Sequence, residues 1–216
     1  MTRERIDDDN DHDSDNDYDN DHDGYPNDIS GWNFDRNNND PQTEDIAYNH
    51  APGLISLVGG VPNNGFKGIG VCPHCRVVPI KQGAECLGRT DKWGESILYA
   101  ADLGAKAISS VVVGYAYSSF NQRAIDYAYR KGVSLSLDSN DFDSMDHTDG
   151  MLWNHVVPGN SLFEDKGGPA ANATTWFRAR SNVTSYGTHN VFSGGEVTTS
   201  GATPFMASVL AMTQSA

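Results

Sequence analysis

The chain has 216 residues, 38% of them hydrophobic, and a formal charge of −14. That is enough length for one self-supporting domain. The charge is uneven, with sixteen acidic and three basic side chains in residues 1 to 45 and near-neutrality beyond; no basic stripe of the kind nucleic-acid binding needs and no apolar run near the ~20 residues of a membrane helix is present.

From Asp7 to Asp23 every odd-numbered position is aspartate. Such a run repels itself and cannot enter a core, so residues 1–28 are expected to form an acidic lead segment, either disordered or organised by a cation. Asp19-Asn20-Asp21-His22-Asp23-Gly24 reproduces the D-x-D-x-D-G opening of a calcium loop. Alternate carboxylates converge there on one hard cation and glycine permits the sharp turn, which makes Asp19, Asp21 and Asp23 the candidate Ca2+ ligands. Ser30 stands where an EF-hand places its closing glutamate, which argues against a complete EF-hand. Met1 is followed by charged residues rather than by the apolar stretch of a secretory leader.

The composition turns globular near Asp28, and residues 29–216 are expected to form the folded domain. In Thr43 to Gly60, Pro52 fits the first turn of a short apolar helix, which places His50 at the helix entrance. Cys72-Pro73-His74-Cys75 has three readings: a redox pair, part of a zinc site, or a structural disulfide or plain thiols. The redox reading needs a helix N-terminus after the first thiol, whereas Arg76 to Lys81 (RVVPIK) reads as a strand; a bridge between Cys72 and Cys75 leaves Cys86 over.

Trp93 to Leu103 and Phe120 to Arg130 show helical spacing, and Gly104 and Gly132 fall where C-caps belong. Ala107 to Gly114 (AISSVVVG) and Val133 to Leu137 (VSLSL) read as strands. Strand, helix, strand, helix, strand at this spacing predicts an α/β fold, a doubly wound and mainly parallel sheet with helices on both faces, whose active groups lie beyond the carboxyl ends of the strands. The last of these strands stops at Asp138-Ser139-Asn140. Asn140 either makes a turn or donates its amide to an oxyanion. Asp138, Asp141, Asp143, Asp146 and Asp149 form a second acidic cluster near Asn140, expected in a solvated loop, with cation binding or a part in substrate preference as the alternative.

Near the end, Glu196 to Met212 runs from hydroxyl residues into an apolar segment containing Pro204. Proline lacks an N–H and is best tolerated in the first helical turn, so a helix is expected to start near Ser200, with its unpaired N–H groups and positive dipole end at that hydroxyl. Ser200 is then either a cap or a nucleophile served by a histidine.

The order and flanks of these motifs resemble the subtilisin-like serine peptidases. Thr199-Ser200-Gly201-Ala202-Thr203-Pro204 is similar to the family's G-T-S-x-A-T-P, with Thr198 in place of the first glycine; His50-Ala51-Pro52-Gly53 is similar to H-G-T-G, and Leu137-Asp138-Ser139-Asn140 stands where the family carries A-A-G-N. Gly31-Trp32-Asn33-Phe34 and Ser185-Tyr186-Gly187-Thr188 support the likeness. The resemblance implies a serine endopeptidase with Ser200 as nucleophile, His50 as general base and Asn140 in the oxyanion hole. It also implies that Val111, Val112, Val113 and Gly114 form the edge that pairs with an extended polypeptide substrate, although the family's S-L-G is absent there. A secreted, monomeric protein with no organic cofactor is expected.

The family's apolar strand ending in the triad aspartate, upstream of the histidine, has no counterpart before His50. The resemblance therefore implies an incomplete catalytic domain, clipped at both ends and nearly inactive by itself. Two other readings stay open: an inactive relative that binds peptides or calcium, and a thiol oxidoreductase acting through Cys72.

Overall fold

The computed structural model describes residue 19 and residues 22–42, 50–65, 68–83, 90–111, 117–138, 153–161, 191–193 and 199–215. Strand β4 (Ser134–Asp138) organises the fold. In a strand, successive side chains point to opposite faces, so the run Ser134-Leu135-Ser136-Leu137-Asp138 presents leucines on one side and small or acidic groups on the other. Leu135 and Leu137 are each 1% exposed and join one core with Trp93, Ile97 and Ala101 of α2 (Thr90–Asp102) and Ala124, Ile125 and Ala128 of α3 (Ser119–Arg130). The opposite face receives α4 (Thr199–Gln214), whose Gln214 amide donates to Ser134 Oγ at 2.7 Å. The serines on that face are short enough for a helix to lie close above them.

Strand β4 lies between β3 (Ala107–Ser110) and β5 (Val156–Ser161), and β5 pairs with β6 (Val191–Ser193); every pairing is parallel and the order is sequential. Register pairs Ile108 with Leu135 and Ser110 with Leu137, so all four face the α2 and α3 layer. Ser110 is accommodated there because its hydroxyl accepts from the Trp93 indole N–H at 2.8 Å. A second parallel pair joins β1 (Trp32–Asn33) to β2 (Ile80–Lys81). The expected α/β arrangement of parallel strands with helices on both faces is observed.

Both predicted glycine caps are present. Gly104 and Gly132 have φ of 77° and 79°, a region costly for residues with a Cβ. After each, the chain folds back in the same way: Gly104 N bonds Ala101 O and Ala105 N bonds Ala100 O, while Gly132 N bonds Tyr129 O and Val133 N bonds Ala128 O. These paired bonds satisfy carbonyls that the helix end leaves open and aim the chain into β3 and β4. The strand expected over Arg76 to Lys81 shortens to Ile80–Lys81, because Pro79 has no N–H to contribute to a ladder.

Helix α1 (His50–Gly59) has no residue in the fully buried class; its C-terminal carbonyls are met by an incoming segment, Val71 N to Leu57 O at 2.9 Å and Cys72 N to Val58 O at 2.8 Å. This close approach requires glycine, since a Cβ on Gly70 would stand 2.4 Å from both Gly60 N and Val58 O. A Cys72–Cys75 disulfide closes the turn that follows, and no helix starts after Cys72 as the redox reading needs. Cys86 lies outside the described residues. No helix among those residues is long and apolar enough to cross a membrane.

The expected lead segment reaches further into the body than its composition indicates. Tyr25 packs edge-on against Trp32, Phe34 and Tyr99 with ring centroids 4.7–5.6 Å apart. Tyr99 is 2% exposed and its hydroxyl donates to Asp28 Oδ2 at 2.6 Å. Tyr25 and Asp28, which precede the expected boundary at 28/29, thus belong to the aromatic cluster and to its hydrogen bond.

Candidate active site

The site forms where β3 and β4 end and α4 begins. Helix α4 opens with Thr199, Ser200, Gly201, Ala202 and Thr203, and Ala202 and Thr203 have no exposed surface. Small residues at this point let the helix start approach β4, and the positive end of the helix dipole lies at Ser200. Pro204 lies one turn later than a first-turn position, inside the helix. Its ring nitrogen cannot donate to the carbonyl of Ser200, four residues back, so the helix tolerates the proline by leaving out one bond next to the site.

Ser200 is half-buried, and its Oγ donates to Asp138 Oδ2 at 3.0 Å. Asp138 is the last residue of β4 and is 2% exposed. This corrects the expectation that Asp138 belongs to a solvated acidic loop: it lies on the α4 face of the strand, in line with Ser134 and Ser136. Sequence reasoning gave it only a share in a cluster that could bind a cation or shape substrate preference, and missed its contact with Ser200. The signal was the alternation itself, which puts position 138 on the polar face, together with a helix start whose hydroxyl needs an acceptor.

His50 is the first residue of α1, as expected, and is exposed. Helix α1 packs on α4, and His50, Ser200 and Asp138 line one cavity of about 1460 Å³. The walls of this cavity come from both sheets, Val77 to Lys81 along β2 and Ala107 to Val111 along β3, with Pro204, Ala207 and Ala211 of α4 below. Its lining is largely apolar, with Ser200, Asp138 and His50 among its polar residues, the usual make-up of a ligand site. Val111 follows the last residue of β3 and also lines the cavity. Val112, Val113, Gly114 and Asn140 lie outside the described residues.

The calcium candidates are elsewhere. Asp19 Oδ1 accepts from Asp23 N at 3.2 Å, its Oδ2 from Gly24 N at 2.8 Å, and Asp23 Oδ1 accepts from Tyr25 N at 2.9 Å. Carboxylates that face backbone amides in this way build a turn. Asp21 lies outside the described residues, and among those described no group of three His, Cys, Asp or Glu side chains is arranged to hold a metal ion.

A parallel α/β sheet with its candidate groups at the strand ends, and a serine at a helix start sharing a cavity with a histidine, defines the class: the chain is related to the subtilisin-like serine peptidases and has their fold. Thermitase from Thermoactinomyces vulgaris is 31% identical over 108 residues, which are 48% of this chain and 37% of thermitase. Among solved structures, the prenylagaramide maturation protease PagA superposes with a TM-score of 0.62 at 16% identity, covering 81% of this chain and 66% of PagA. A protease from Pseudoalteromonas arctica gives a TM-score of 0.60 at 21% identity, covering 74% of this chain and 57% of that one. No family model matches the sequence. The chain therefore spans little more than a third of the length of thermitase, and these relatives are proteases.

Proposed function

We propose that this chain carries the nucleophile of a serine endopeptidase, with Ser200 attacking the peptide carbonyl and His50 acting as general base. The observation that supports this most is the placement of Ser200: a half-buried hydroxyl at the start of α4, on the same cavity as His50. In the proposed reaction Ser200 Oγ bonds to the carbonyl carbon as its proton passes to His50. The oxyanion so formed accepts from the Ser200 backbone N–H, strengthened by the helix dipole, and from the side chain of Asn140. Collapse expels the amine, which takes the proton from His50, and water then hydrolyses the acyl-enzyme through the same base.

An extended polypeptide running past Val111 to Gly114 is the proposed substrate. The Cys72–Cys75 bridge suits an oxidising compartment, which fits secretion. An alkyl fluorophosphonate, read by intact-protein mass spectrometry, tests the assignment. One covalent adduct is expected on the unmodified protein and none on Ser200→Ala; a folded protein that takes no adduct, or an adduct that survives the substitution, refutes it.

A further inference from the structure

The geometry points to Asp138 as a specificity-determining residue, selecting substrates that carry a cation next to the carbonyl attacked by Ser200. The inference rests on Ser200 being the nucleophile and adds the chemical class of the preferred substrate.

Three observations lead to it. Asp138 is 2% exposed, its carboxylate is one hydrogen bond from Ser200 Oγ, and both residues line the cavity that also holds His50. A hydroxyl has a single proton to donate, and here it is given to Asp138. While that bond is kept, the proton is directed away from His50. The tetrahedral intermediate also places negative charge close to Ser200, and an ionised carboxylate at that distance opposes it in surroundings where water screens poorly.

A substrate ammonium or guanidinium entering the cavity changes both terms. It pairs with the carboxylate, so that Ser200 Oγ–H is released towards the imidazole, and it offsets the carboxylate's field as the oxyanion forms. Binding energy is then realised in the transition state rather than in the ground state alone, which is the condition for selecting by rate.

The test uses two diphenyl phosphonate esters of the same peptide length, one with a lysine side chain and one with the norleucine side chain that lacks the amine. With each, Ser200 Oγ attacks phosphorus, a phenoxide leaves and the proton goes to the base, so the rate of adduct formation reports a single turnover. The lysine ester is expected to react at least about tenfold faster with the unmodified protein. In Asp138→Asn the ratio is expected to fall towards one; should that variant not fold, Asp138→Ser, which matches Ser134 and Ser136 on the same face, takes its place. A ratio near one in the unmodified protein overturns the inference, as does a preference that persists in the folded variant. Fluorophosphonate labelling of the unmodified protein separates the two failures: an adduct with no lysine preference removes Asp138 from selectivity and leaves Ser200 as nucleophile, whereas no adduct removes both.

Discussion

The Ser200–Asp138 bond joins the start of α4 to the end of β4 across 62 positions of sequence, so its loss should be measurable as stability. Ser200→Ala leaves a buried carboxylate short of one donor. Hydrogen bonds to charged groups contribute about 1.5–3 kcal/mol. Three features move the expected value to the lower end: Ser200 is partly exposed, the 3.0 Å separation is long for an O–H donor, and alanine is a slightly better helix former than serine. The expected loss is therefore about 1–2 kcal/mol, equivalent to roughly 2–8 °C in Tm for a domain of this size. A double-mutant cycle with Asp138→Asn isolates the pair, and urea unfolding followed by tryptophan fluorescence is the assay. Trp93 and Trp153, only 0% and 5% exposed and with ring centroids 5.0 Å apart in the adjoining core, serve as reporters. Ser208→Ala is the control, because Ser208 is buried on the same helix but donates to the Pro204 carbonyl. Ser200→Ala and Asp138→Asn should couple by about 1 kcal/mol, while Ser208→Ala and Asp138→Asn should add to within about 0.5 kcal/mol. Additivity in the first pair, or a Ser200→Ala protein as stable as its parent, refutes the reasoning.

Two further outcomes are expected. Burial, then the hydrogen bond to Asp28, pushes the Tyr99 phenol well above its ordinary value of 10.0. Below that pH both folded and unfolded chains keep the proton; above it the unfolded chain loses the proton first, so stability should fall with rising pH by up to about 1.4 kcal/mol per unit. Tyr99→Phe should flatten that alkaline slope in urea titrations, and an unchanged slope counts against the assignment. For calcium, binding through Asp19, Asp21 and Asp23 should raise the melting temperature in a titration against a chelator. A melt indifferent to calcium ends that proposal, and the amide contacts of Asp19 and Asp23 then account for those side chains as turn formers.

Much of the fold was legible because its signals are local. The spacing of apolar residues over Phe120 to Arg130 and the glycine at 132 give a helix whose observed bounds are Ser119–Arg130, closed by the expected cap. The alternation in Val133 to Leu137 likewise contains both faces of β4. Where such signals thin out, the edges shift. Helix α2 begins at Thr90, three residues ahead of Trp93, because its polar first turn lacks apolar periodicity, and the strand expected from Arg76 shrinks to Ile80–Lys81 around a proline.

The candidate site divides along the same line. Residue type and neighbours alone determined that His50 opens one helix and that Ser200 stands at the start of another, since helix starts are set by residues within one turn. Tertiary structure decided that both face one cavity, and that Asp138 is a buried partner of the serine rather than the first residue of an acidic loop. Local sequence reports how a side chain stands relative to residues a few positions away. Which carboxylate meets which hydroxyl depends on how a helix lies across a sheet, and that is settled only when the apolar face of β4 is covered by α2 and α3 and its serine face is left for α4.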